Sequence, residues 1–178
     1  MPSSSRTSKS SSSSSSKKSS SSSGSRSKSM TLKLVPIAGI LDWDDHGDES
    51  ISQIVMACYD ADSRSFQTVG KVRYDKKLMK ELLQELCDYM RPNMDPSYDV
   101  TDEQTPMCDV WFDPVQVWEV KADLNDLGKS KKFSAAALKN GNVGIGFSKS
   151  VKFVRSRCDR DVDEATSSDK ILEAFKKQ

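Results

Sequence analysis

Five cations crowd the last third of the chain: Lys149, Lys152, Arg155, Arg157 and Arg160. Cations at that density can hold phosphate, of a nucleotide or of a nucleic-acid backbone, because each donates several charge-assisted hydrogen bonds. An alternating strand puts Arg155 and Arg157, with Val151, on one face. A solvated strand face explains the same pattern equally well. Lys121 adds a sixth cation inside the alternating run Val117 to Leu124, where it either pairs with Glu119 at the surface or reaches a DNA phosphate. Trp111 and Trp118 could stack on unpaired bases, but both lie in apolar runs and read first as core. His46, the sole histidine, sits beside Asp44 and Asp45 in what reads as a loop. The Asp-rich residues 95–103 lack calcium-loop spacing. Cys58, Cys87, Cys108 and Cys158 are far apart with no Cys-x-x-Cys, so four reduced thiols are expected and no metal site.

The elements that must position these cations begin after a tail. Residues 1 to 29 hold 19 Ser and six Lys or Arg, with no acid and no large apolar residue after Met1. Such a segment cannot offset its ordering entropy by burial and is expected to be disordered. It has no apolar stretch of the secretory type, and no run in the chain approaches the ~20 apolar residues of a membrane helix. Lys17-Lys18 and Arg26 to Lys28 suit a nuclear or organelle address only sparsely. Six of the 27 basic residues lie in the tail, so residues 30 to 178 hold 21 against 26 acidic ones, a net charge of −5. A nucleic-acid contact must therefore come from a local patch, from the tail or from a partner.

Leu32 to Leu41 predicts a first strand, with Pro36 marking an edge or a bulge. Asp42 to Ser50 predicts an acidic loop, Gln53 to Tyr59 a second strand, and Phe66 to Tyr74 a third that returns after turn chemistry at residues 60–65. Leu78, Leu82, Leu83, Leu86 and Met90 fall at helical spacing, which predicts a helix from Asp75 to Met90 with Asp75 as N-cap. Residues 91–107, with three Pro, predict a long exposed loop. Asp109 to Leu124 reads as a strand, a tight bend at Asp113-Pro114, and a second strand. Lys129 to Asn142 is a basic connection. Val143 to Phe147 and Val151 to Arg155 are two further short strands, and Asp169 to Lys177 a terminal helix behind Ser167 or Ser168. The order is mainly β with one inserted helix and a short C-terminal helix. It suits a small Greek-key β-barrel of the OB-fold type, with a β-sandwich as the structural alternative.

Four blocks, in order, resemble the C-terminal OB-fold domain of eukaryotic-type ATP-dependent DNA ligases. They are Leu32 to Ile37; Ala57-Cys58-Tyr59-Asp60 with Phe66 to Val72; Asp109 to Leu124; and Arg155 to Arg160 followed by Asp163 to Ser167. The resemblance spans roughly residues 32 to 175. It implies DNA binding and nick sealing in DNA repair, replication and recombination, with nicked duplex DNA as partner, ATP and Mg2+ as cosubstrate and cofactor, and a nuclear or organelle location. It implies that Arg157 and Arg160, in the family's last motif, orient pyrophosphate once a nucleotidyltransferase domain is present in cis or in trans. With DNA as partner, the cationic residues Lys121, Lys149, Lys152 and Arg155 are the candidate nucleic-acid contacts.

The sequence departs from that family in two places. It contains no Lys-x-Asp-Gly, whose lysine captures AMP; Lys121-Ala122-Asp123-Leu124 comes nearest and lacks the Gly. Arg157-Cys158-Asp159-Arg160 ends in Arg where the family has Lys, and Lys152 stands where Arg is usual, which matters for bidentate phosphate binding. The chain alone is therefore expected neither to adenylate nor to seal, and to bind no cofactor by itself. Two other functions fit the same residues: a stand-alone OB module binding single-stranded or nicked DNA, and an acidic protein-interaction domain.

Overall fold

The computed structural model describes residues 29–157 and 159–177. The expected disordered tail lies outside the described residues except for Ser29, which opens the first strand rather than closing the tail.

Three antiparallel strands come first, in sequence order: β1 (Ser29–Trp43), β2 (Glu49–Asp60) and β3 (Ser65–Arg73). The β1–β2 register slips between Pro36 and Ala38, so the proline sits at a bulge where its missing N–H does no harm. The acidic loop is tighter than the sequence predicts. Asp44 accepts hydrogen bonds from the backbone N–H groups of His46 and Asp48, both at 2.8 Å, and Gly47 supplies φ +80°. That side-chain-closed turn lets Trp43 and Glu49 pair as strand residues.

Helix α1 (Lys76–Cys87) starts where Asp75 accepts from the Lys77 N–H at 2.9 Å, as its cap position demands. It stops three residues before the predicted end, because Met90 and Arg91 leave the helical path to form β4 (Met90–Arg91) against Phe112 and Trp111. The segment after it is not a free loop. Tyr98 lies in β5 (Tyr98–Asp99), parallel to Phe66 and Gln67, and its hydroxyl donates to the Phe112 carbonyl. Tyr98 and Gln104 are buried, so one aromatic anchor holds this proline-rich stretch on the sheet.

The Asp113-Pro114 corner is also corrected. Strands β6 (Val110–Phe112) and β7 (Trp118–Asp123) do not pair with each other. Both run antiparallel to β1, with Ala38 opposite Trp111 and Leu34 opposite Trp118, so they form one line interrupted by residues 113–117. A bend that keeps the chain's direction looks in sequence like one that reverses it.

Strands β8 (Leu127–Lys129) and β9 (Ile145–Phe147) form a small separate ladder. Between them Phe133 folds back over Gly144 and Gly146; a Cβ on Gly146 would stand 2.1 Å from its ring. Strand β10 (Lys152–Ser156) pairs with β7, and helix α2 (Ser168–Lys176) is capped by Ser167. The main order is β10–β7–β1–β2–β3–β5. The sheet curls until the Val151 N–H donates to the Lys71 carbonyl at 2.9 Å, a single parallel bridge between β3 and the start of β10. Five strands in the cyclic order β1–β2–β3–β10–β7, with a helix between the third and fourth in sequence, is the Greek-key OB barrel.

Around the middle of β1 and β2 the sheet is buried on both sides. Inside the barrel lie Leu32, Leu34, Met56, Trp118, Val120 and Phe147, closed off by Met79 and Leu86 of α1 and by Ile171 and Leu172 of α2. Outside, Val35, Ile37, Val55 and Phe66 are covered by Tyr98, Trp111 and Val117. The two tryptophans are core residues, as expected, but they serve opposite faces: Trp118 points into the barrel and Trp111 away from it. Of the cysteines, Cys58, Cys87 and Cys108 are free thiols, and Cys158 falls outside the described residues.

Candidate nucleic-acid interface

Where Leu32, Trp118, Val120 and Phe153 turn toward the barrel, the residues alternating with them must turn out. Pairing register aligns them in rows across β1, β7 and β10. One row is Thr31, Lys121 and Lys152; the next is Lys33, Glu119 and Arg155. Lys121 and Lys152 are therefore direct cross-strand neighbours of like charge, an arrangement that costs stability unless an anion lies over it. Lys33 was not singled out by density; the apolar–polar–apolar run Leu32-Lys33-Leu34 is the signal that places it on this face.

The cations divide into two groups. Lys121, Lys149 and Lys152 are exposed and, among the described residues, make no ion pair. With Ser29, Ser150, Asp123 and Asp126 they surround one depression of about 510 Å³ at the end of β1. Solvated ammonium groups with no carboxylate of their own are free to take a phosphate.

The arginines are already engaged. Arg157 Nη1 donates to Glu119 Oε1 at 3.0 Å, and its Nε and Nη2 grip both oxygens of Asp159 at 3.1 and 3.2 Å. Arg155 Nη2 reaches the same Glu119 oxygen at 3.4 Å. Arg160 is held more loosely, 3.9 Å from Asp159 and 3.8 Å from Glu164. Its side chain is 39% exposed against 16% for Arg157. The bidentate grip of Arg157 pulls the Asp159 carboxyl down to about 2. Burial opposes ionisation of Glu119, but hydrogen bonds from Arg157 and Arg155, with their charges, outweigh it and hold its carboxyl below the usual range. Hydrogen bonds to Asp159 and Glu119 raise the Arg157 guanidinium further above its ordinary value.

So the structure brings Lys121, Lys149 and Lys152 together, and places Arg155 and Arg157 on a shared carboxylate beside them. It leaves Arg160 at the edge of that network, tethered to the turn at residues 161–164, where the Asp161 and Glu164 side chains form a reciprocal cap. Each guanidinium nitrogen of Arg157 already has a carboxylate partner and its side chain is largely covered, whereas Arg160 and Arg155 are more accessible. Among the described residues no group of three or more Asp, Glu, His or Cys gathers to hold a metal ion. Among the described residues near this network, Arg155 and Arg160 are the accessible cations suited to an anionic phosphate.

Known proteins resemble this chain over most of its length. DNA ligase 1 of Arabidopsis thaliana is 32% identical over 155 residues, covering 83% of this chain and 18% of that protein. DNA ligase 1 of Saccharomyces cerevisiae is 33% identical over 127 residues, 70% of this chain and 16% of that protein. The DNA ligase of Saccharolobus shibatae is 28% identical over 151 residues, 83% of this chain and 24% of that protein. This chain thus spans a quarter or less of the length of these relatives. The crystallised ligase domain of LigD from M. tuberculosis shares the fold, with a TM-score of 0.53, 11% identity, 78% of this chain and 38% of that one covered. The family model described as "ATP dependent DNA ligase C terminal region" matches residues 47–141. The chain belongs to that family, as an OB-fold part of ATP-dependent DNA ligases.

Proposed function

We propose that this domain lays its β1–β7–β10 face on the backbone of nicked duplex DNA and serves a nucleotidyltransferase domain, in cis or in trans, in sealing the nick. The observation that carries the reading is the cluster of Lys121, Lys149 and Lys152, which stay unpaired around one depression while every neighbouring arginine has a carboxylate. Three ammonium groups on a domain of acidic overall charge localise phosphate contact to one patch. Arg155, held weakly and exposed, extends that patch toward the DNA.

Arg160 is the residue best suited to the pyrophosphate of ATP, because releasing it breaks only long contacts to Asp159 and Glu164. Arg157 acts through position: its three-point grip fixes the turn on which Arg160 stands. Bound ATP with Mg2+ would supply the adenylyl group and the leaving pyrophosphate. The 178 residues hold no Lys-x-Asp-Gly, so the chain incubated with radiolabelled ATP and Mg2+ should carry no acid-stable adenylate. Within the cell this reading implies DNA repair, replication and recombination, in the nucleus or a DNA-containing organelle.

The test is fluorescence anisotropy of a labelled nicked duplex between 50 and 200 mM salt. Each phosphate contact contributes about −0.9 to the slope of log affinity against log salt. Replacing Lys121, Lys149 and Lys152 by Ala should reduce that slope by about 2 to 3 without lowering the melting temperature. No binding at the lowest salt would sink the reading. A protein-interaction role would then rest on Trp43, 67% exposed at the end of β1 beside the acidic turn.

A further inference from the structure

The lysine depression contains a residue that the DNA reading does not use. Ser29 is the first residue of β1, exposed, and its hydroxyl has no hydrogen-bond partner among the described residues. Register sets it opposite Asp123 and two residues from Thr31, which faces Lys121, which in turn faces Lys152. Ser29 therefore stands on the same outer face as the two lysines, one row away. Lys149 borders the depression from the turn before β10.

The surrounding charges favour an anion there. Lys121, Lys149 and Lys152 oppose two carboxylates, Asp123 and Asp126. One of these is occupied: Asp123 Oδ1 accepts the backbone N–H of Asn125 at 2.9 Å. Upstream in sequence, Arg26 and Lys28 precede Ser29 at positions −3 and −1. That cationic flank is complementary to a kinase with an acidic substrate groove. Among the described residues Ser29 also forms the outermost rung of the β1–β7 ladder, and outer rungs open locally at low cost.

We propose that Ser29 is a phosphoacceptor whose phosphoryl group docks onto Lys121, Lys149 and Lys152 and closes this face to nucleic-acid phosphate. A protein kinase transfers the γ-phosphoryl group of ATP. The Ser29 Oγ–phosphorus bond forms, the bond from the γ-phosphorus to the β,γ-bridging oxygen breaks, ADP leaves, and the hydroxyl proton passes to the kinase's base. The product adds a charge of about −1.5 to −2 and three acceptor oxygens within reach of three unpaired ammonium groups. The docking half stands on the geometry alone; the closing half rests on the DNA reading above.

The test uses the full chain with phosphoserine incorporated at position 29, and a phosphopeptide of residues 22–36 as reference. The peptide carries Arg26, Lys28 and Lys33, so it accounts for charges on the phosphoserine's own strand. Phosphorus NMR titration of the folded chain should show the second phosphate ionisation well below that of the peptide. Lys121→Gln with Lys152→Gln, or 1 M NaCl on the unmutated chain, should bring it back most of the way to the peptide value at the same salt. Nicked-duplex affinity of the phosphorylated chain should fall about 10-fold or more relative to the chain with Ser29→Ala. A phosphate ionisation equal to the peptide's, and indifferent to the lysines and to salt, overturns the proposal. If the ionisation is lowered but the unphosphorylated chain binds no nicked duplex, docking is upheld and the DNA reading fails instead. A lowered ionisation with undiminished DNA affinity refutes the closing half.

Discussion

Arg157 reaches across from the segment after β10 to donate to Glu119 of β7 at 3.0 Å, while its other edge holds Asp159 by two bonds. One guanidinium thus fixes a strand and the following turn together. Because the Asp159 carboxyl lies at about 2 in the fold, below its ordinary 3.8, the pairing gives its full stabilisation above about pH 4. That stabilisation is lost as the pH falls from there through 2. Glu119 moves in the same direction, so both partners weaken together in acid. Carbon-detected NMR titration should find Asp159 near 2 in the natural chain and raised toward its ordinary 3.8 in Arg157→Gln. An unchanged Asp159 in that variant would disprove the pairing.

Trp118 and Trp111 should prove equal in cost and different in coupling. Truncating either to Ala should destabilise the fold by about 3–5 kcal/mol in a urea melt. Trp118 packs edge-on against Phe153 of β10, with ring centroids 5.2 Å apart. Trp111 packs beside Tyr98, on the other face. A double-mutant cycle of Trp118→Ala with Phe153→Ala should therefore show about 0.5–1.5 kcal/mol of interaction. The cycle with Tyr98→Ala should be additive within about 0.5 kcal/mol.

Lys139 ties three parts of the chain to one ammonium group. It pairs with Asp62 at 2.9 Å, lies 3.9 Å from Asp60, and contacts Asp169 in the first turn of α2. Hydrogen bonds from its ammonium to Asp169 and Asp62 raise its ionisation above the ordinary lysine value. Lys139→Met should leave the barrel intact and loosen the first turn of α2, which Ile171 and Leu172 still hold to the core. Hydrogen exchange should then accelerate in that turn, while β1 and β7 keep their protection.

Thiol chemistry should follow burial. Burial pushes the Cys58 thiol up to about 12, and burial pushes Cys108 up to about 11. Cys87 is exposed at the end of α1. A maleimide at pH 8, followed by peptide mapping, should label Cys87 within minutes and leave Cys58 and Cys108 unmodified until denaturant is added. Labelling of Cys58 in the native chain would contradict the packing of β2 against β3.

Much of this was legible before the fold. Alternation in Leu32-Lys33-Leu34 and in Trp118 to Asp123, and the helical spacing behind Asp75, are local patterns, and local patterns survive into structure. Pro36 announced its bulge. Non-local pairing was what the sequence left unread. Residues 113–117 look like a hairpin corner because bend chemistry is the same whether the partner is the preceding strand or β1. Tyr98 looked like a loop residue because its partners, Phe66 and Phe112, come from distant strands. In the site, density located the cations, but only register could separate the three free lysines from the arginines that Glu119 and Asp159 hold.

Strand β1 is the wall between two hydrophobic chambers, and from Leu34 to Ala38 it has no side that faces water. A substitution there must satisfy two interiors at once, so that stretch has almost no freedom to drift. What selection can tune without unbalancing the barrel is confined to the two tips of the strand, one carrying Ser29 and Lys33, the other Trp43 and its acids.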